Sequence, residues 1–229
     1  MKRLTDKQLL NSMALAIEKG SYQAFIDLVP PSRINDLILG QTALSLFVAE
    51  SGPGRLAKGN STVHTERDKV VDRLLRLGAK IDLSGRAGLT ALHWATLTCD
   101  ADMVKLLLDR GASMRKTSEK SKETAIQMTC PRASVHHGYF LISKLFMLHG
   151  AKPSEFETRR PGGAQNYYPS PEIMRFYEGI LKARKSIICL IGIHKKCLLL
   201  KSIGKDGVTE IARAIYQTRG DPAWSQTVP

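Results

Sequence analysis

Long apolar runs are missing from this chain. The longest uninterrupted one is Ile187 to Ile193, against the roughly 20 residues a transmembrane helix needs. No membrane-crossing helix is therefore expected. The first residues, MKRLTDKQLLNSM, carry cations but no apolar segment of the kind a secretory signal peptide needs, so no leader is read there. Cysteine is sparse: Cys99, Cys130, Cys189 and Cys197 contain no C-x-x-C pair. That argues against a disulfide framework and for a reducing compartment, with a cytoplasmic location expected. Acids are also short, 21 against 34 Lys+Arg, for a net charge of +13 over 229 residues. This excess favours an acidic protein surface, nucleic acid or an anionic membrane face as partner and is silent on fold. Apolar residues at 43% and charged ones at 24% exclude a disordered chain and fit one or two globular domains.

What is present is self-similarity. Gly88-Leu89-Thr90-Ala91-Leu92-His93 opens a segment that closes with Val104-Lys105-Leu106-Leu107-Leu108-Asp109-Arg110-Gly111-Ala112. Thr90 and Gly111 are 21 residues apart. Upstream, Gly40-Gln41-Thr42-Ala43-Leu44 leads to a Leu74-Leu75-Arg76-Leu77-Gly78-Ala79 ending, with a spacing of 36. Downstream, Glu123-Thr124-Ala125-Ile126 leads to Leu148-His149-Gly150-Ala151, with a spacing of 26. Each Thr suits the N-cap of a first helix. Leu74, Leu75, Leu106 and Leu107 suit the buried stripe of a second helix. Gly78, Gly111 and Gly150 suit a left-handed helix stop. Leu9, Leu10, Met13, Leu15 and Ile17, then a break at Gly20, then Phe25, Ile26, Leu28 and Val29 before Pro30-Pro31 read as one more helix pair at the N-terminal end.

These residues resemble the ankyrin repeat, G-x-T-P-L-H followed by A-A and V-V-x-L-L-L-x-x-G-A. Ala43, Ala91 and Ala125 stand where that pattern has Pro, Cys99 where it has the Gly closing the first helix, and Lys122 where it has the opening Gly. The resemblance implies an all-α ankyrin-repeat solenoid of about four helix pairs with β-hairpin-like turns, capped by a C-terminal helical module. It implies that His93 hydrogen-bonds back to the Thr90 cap. The expected division is a repeat domain over 1–151 (units about 1–36, 37–84, 85–118 and 119–151), a connector over 152–169 and a helical module over 170–229. The spacing in the second unit is 15 residues longer than in the third, and most of the excess is placed in Ser51 to Thr62, a Gly/Pro/Ser-rich stretch expected as a surface loop. Its Gly54-x4-Gly59 lacks the Lys of a phosphate-binding loop.

The resemblance also implies a binding surface, the concave face of hairpin tips and first helices. Carried over residue by residue, it takes Gln41, Ala49 and Glu50 from the second unit. The third supplies Arg86, Ala87, Leu89, Leu97 and Thr98, with Trp94 as an aromatic anchor. The fourth supplies Lys120, Ser121, Glu123 and Arg132. The partner is expected to be a protein with an acidic surface, and the chain a monomer. No cofactor motif and no metal-ligand set is read. Cys130 lies near His136 and His137, in what reads as an irregular five-residue insertion. An enzyme using Cys130 or Cys99 as nucleophile is the alternative these thiols offer.

The last third of the chain differs. Ser170-Pro171-Glu172 reads as a helix start. From Gly179 to Lys205 there is no acid, while Lys182, Arg184, Lys185, Lys195, Lys196 and Lys201 surround the apolar stretch. This patch suits a cap on the repeats, or a nucleic-acid contact through counterion release. A further helix is expected around Val208 to Ile215. The string LLLKSIGKDGVTEIARAIYQTRGDPAW is similar to the C-terminal segment of ankyrin effectors secreted by the type IV route from intracellular bacteria. That likeness implies an effector that binds a host protein.

Overall fold

A computed structural model describes residues 5–29, 31–53, 62–85, 87–133, 137–157 and 170–194, without the side chains of 62–65, 130–133, 137 and 184–194. The described residues form nine α-helices and no strand. They are α1 (Asp6–Glu18), α2 (Tyr22–Leu28), α3 (Ala43–Glu50), α4 (Thr62–Arg76), α5 (Ala91–Leu97), α6 (Ala101–Asp109), α7 (Ala125–Ala133), α8 (His137–Leu148) and α9 (Pro171–His194). Two compact units divide the chain, Met1–Ile173 and Met174–Pro229.

In the first unit the helices pair in sequence order, α1 with α2 through α7 with α8. The first helices α1, α3, α5 and α7 pack on one another in turn, and α2 packs on α4 and α6 on α8. This is a stack of helix–turn–helix units, each burying its apolar face against its neighbour.

One local device starts every first helix. Thr5 with Gln8, Thr42 with Ser45, Thr90 with His93 and Thr124 with Gln127 form reciprocal capping boxes. In three of them the N3 backbone N–H donates to the Thr hydroxyl, and the N3 side chain accepts the Thr backbone N–H. In the box of α5, His93 Nδ1 accepts from the Thr90 N–H at 3.1 Å and meets the Thr90 hydroxyl at 2.8 Å. An Nδ1 that accepts puts the ring proton on Nε2. Burial lowers the pKa of His93, and the backbone at Glu123 and Lys116 opposes that only in part.

The second helices stop alike. Gly78, Gly111 and Gly150 have φ of +94, +88 and +97°. The next N–H reaches back to Leu74, Leu107 or Phe146, closing a Schellman turn. Cys99 and Lys122, standing where the repeat pattern has Gly, take the same left-handed region at φ +57 and +59°. The turn is kept although the residue that favours it is absent.

Three expectations shift. Ser51 and Gly52 are buried, because the Thr98 side chain of the next unit rests on Gly52. Thr62 already belongs to α4, so the inserted length partly extends a helix; residues 54–61, with the Gly54–Gly59 stretch, lie outside the described residues. Cys130-Pro131 lies inside α7 rather than in an irregular insertion. Pro removes one backbone donor, and near the end of α7 the helix tolerates that loss.

After Ala151 a 3-10 turn, Pro153–Phe156, packs on α7 with Phe156 fully buried. The Ile173 N–H donates to Ser170 Oγ at 3.3 Å at the start of α9. Ile173, Phe176 and Ile180 are buried along that helix. The expected helix near residues 208–215 lies outside the described residues.

Candidate partner-binding face

Hairpin tips and first helices make one side of the stack. The first tip is a two-residue turn, closed where Ile38 and Gln41 exchange hydrogen bonds of 2.9 and 3.1 Å. Its central residues, Leu39 and Gly40, have φ of +50 and +88°. Positive φ at both is the mark of a primed turn, usually filled by Asn-Gly. Leucine there lacks the side-chain hydrogen bond that lets Asn take this region, and its side chain is not buried in exchange. Leu37 is 48% and Leu39 57% exposed.

The next tips are built differently. Gly85 lies against the Gly40 carbonyl, and Gly88 (φ +72°) against the Glu119 backbone, so close that a Cβ at either would stand 2.4 or 2.1 Å from its neighbour. Only glycine permits hairpins stacked this tightly. In the last tip Thr117 and Thr124 pair across six residues, and Lys120, Ser121 and Lys122 are exposed.

Of the residues expected to bind, Lys120 and Ser121 are exposed, and Gln41, Glu50, Leu89, Trp94, Leu97, Thr98 and Glu123 are half-buried. Several of these serve the stack itself. Gln41 closes the first turn, the Leu97 carbonyl accepts from the Tyr139 hydroxyl at 3.1 Å, and Thr98 packs on Gly52. Ala49 is a correction: it is buried, because α3 is covered by α1, α4 and α5. Arg86 and the Arg132 side chain lie outside the described residues. Leu37 and Leu39 are the residues the sequence reading passed over. The available signal was a Leu-Gly pair where a tight turn favours Asn-Gly.

The thiol chemistry finds little support in the described residues. Burial, and then the Asp100 charge, push the Cys99 thiol up, away from the thiolate a nucleophile needs. The Cys130 and His136 side chains lie outside the described residues. No group of three or more His, Cys, Asp or Glu that could hold a metal occurs among the described residues. In the basic segment, Lys182 is exposed on α9; Lys195, Lys196 and Lys201 and the side chains of Arg184 and Lys185 are outside the described residues. No described helix is long and apolar enough to cross a membrane.

The described residues form an all-α stack of helix pairs of the ankyrin-repeat kind. A family model described as ankyrin repeats (many copies) matches residues 63–108, from α4 into α6. No curated protein matches the chain.

Proposed function

We propose that the stack is a protein-binding module that takes its partner on the face of hairpin tips and first helices. Ankyrin repeats are generally binding modules rather than enzymes. The observation that carries the choice of face is Leu39, an apolar side chain 57% exposed on a backbone that disfavours it. Strain kept at an exposed tip without a packing return is what a contact residue leaves behind. Lys120 supplies a cation on the same side, in keeping with a partner of acidic surface, and half-buried Trp94 an aromatic contact.

The test uses Leu39→Asn combined with Lys120→Glu. Asn suits the turn, so the melting temperature should stay level or rise slightly. Capture of whichever protein the unaltered chain enriches should fall by about tenfold or more. Undiminished capture of that protein would remove this face from consideration. A narrower reading, an effector that engages a host protein after type IV secretion, rests on the C-terminal resemblance. A translocation reporter fused to the chain, with and without residues 198–224, checks it.

A further inference from the structure

The last hairpin tip, just before α7, carries a side chain at odds with its backbone. Lys122 lies at φ +59°, a region that is costly for most L residues and that Gly or Asn takes readily. The two preceding hairpins have Gly40 and Gly88 at the same step, two residues before the Thr cap. At Gly88 a Cβ would also strike the Glu119 backbone, so glycine is required there twice over. At 122 a lysine stands instead, with its side chain exposed, and its strain is matched by no packing.

The fold does not use the charge either. Lys116, Lys120 and Lys122 are all exposed, and among the described residues none of them has a carboxylate partner. Cations nearby are paired, Arg115 with Glu155 at 2.7 Å and Lys105 with Asp109 at 3.1 Å. Two acids share the hairpin. The Glu119 stem lies against Gly88, toward the preceding tip, and Glu123 is half-buried. Other groups fix the turn: the Ser118 hydroxyl accepts the Ser121 N–H and the Ser118 carbonyl accepts the Lys122 N–H, each at 3.1 Å. The three lysines therefore stand on a preorganised frame. A nucleic-acid backbone carries a charge at every step and would meet Glu119 and Glu123 as well. A peptide places its carboxylates only where its sequence puts them.

We propose that the last hairpin seats an acidic peptide segment of the partner through Lys116, Lys120 and Lys122, with Lys122 the residue that sets specificity for a carboxylate. This rests on the protein-binding reading and adds to it the chemistry of the partner and two contact residues, Lys116 and Lys122.

Fluorescence anisotropy with the full chain tests it. The probes are a labelled peptide of alternating Glu and Gly and its counterpart with Gln for Glu, at low and at high salt. The expected result is binding of the Glu peptide at low salt, weakened at high salt, and little binding of the Gln peptide. Lys122→Asn should weaken binding about fivefold or more. Its melting temperature should stay level or rise, because Asn suits the left-handed turn. Lys80→Gln removes an exposed lysine from another loop and controls for net charge; it should change affinity less than about twofold. Replacing a residue kept for structure alone lowers the melting temperature, whereas replacing a contact residue moves affinity and stability apart. Three results would overturn the proposal. One is no binding of the Glu peptide at low salt. Another is equal binding of the Gln peptide. The third is a loss for Lys122→Asn no larger than that for Lys80→Gln. The wider reading fails separately: partner capture that ignores Leu39→Asn, while the peptide still needs Lys122, would remove the larger face and keep this site.

Discussion

Two ion pairs join α4 to the ends of α6, and they are built in opposite ways. Arg67 of α4 meets Asp100, the N-cap of α6, and both side chains are almost wholly buried, 4 and 3% exposed. Asp72 of α4 meets Arg110, the C-cap of α6, through two hydrogen bonds of 2.7 and 3.0 Å, at 29 and 38% exposure. The order of charge is reversed between them, so that the acid sits at the start of α6 and the base at its end. Both therefore suit the helix dipole. They differ in the solvent they have lost. A buried pair gives little over an apolar replacement, yet removing one partner strands a charge. An exposed pair is screened and adds little either way.

The largest expected effect comes from the buried tie. Asp100→Ala leaves Arg67 buried without its carboxylate and removes the acceptor of the Met103 N–H at 3.0 Å. Stability in urea unfolding should fall by about 3–5 kcal/mol. Adding Arg67→Met should return more than half of that, since the buried charge goes with it. A double mutant no better than Asp100→Ala would show that the cap, not the ion pair, dominates.

The contrast between buried and exposed ties extends to the next junction. Cys99, in its left-handed turn, places Sγ so near Gly138 of α8 that a Cβ there would stand 2.4 Å from the sulfur. Gly138→Ala should destabilise by about 1–3 kcal/mol. Cys99→Gly removes both the obstacle and the strained φ, so the double mutant should lie close to the unaltered protein. Strong non-additivity in this cycle is the sign of direct contact; additive losses would place the cost of alanine elsewhere.

The repeat skeleton was readable because it is local. Thr at a cap, His93 three residues on, and Gly-Ala at a stop act within one turn of chain, and each stands where the pattern put it. The junctions were not readable. Arg67 sits in His64-Thr65-Glu66-Arg67-Asp68-Lys69, a string that reads as a solvated face, yet its side chain is buried and meets Asp100, 33 residues on. The replacement of Gly by Cys99 was visible, but the opposing Gly138 is 39 residues away and no local rule joins the two. The proposed binding face was legible as a set of positions and not as exposures. Ala49 is buried on α3, while Leu39, overlooked in the sequence, is among the most open leucines described.

A smaller effect should come from pH, through the buried cap. The Thr90 box needs neutral His93, and burial holds its pKa below the ordinary histidine value. The unfolded chain thus takes up a proton at a higher pH than the folded one. Its contribution is complete above the unfolded value, near 6.5, and declines as pH falls from there toward the lower folded value. The melting temperature should drop between about pH 7 and pH 5, and His93→Gln, which keeps the box of α1 and α7, should flatten that slope. An unchanged slope in the variant would assign the pH dependence to other groups.

The exposed tie should give the least. The Arg110 hydrogen bonds hold the Asp72 carboxyl below the ordinary carboxylate range, with desolvation opposing. Such a group stabilises above the unfolded aspartate value, near 4, and loses that contribution as pH falls through its lower folded value. At neutral pH, Asp72→Ala should lower the melting temperature by no more than about 4 °C. The loss should shrink further in about 1 M salt, where charges this open are screened within a few ångströms. Asp100→Ala should keep nearly its full effect under the same salt, because no counterion reaches a pair 4 and 3% exposed. If Asp72→Ala instead matched Asp100→Ala in size and salt resistance, exposure would not be what separates the two ties. The reversed order of charge along α6 would then be the property to vary next, by exchanging Asp72 with Arg110.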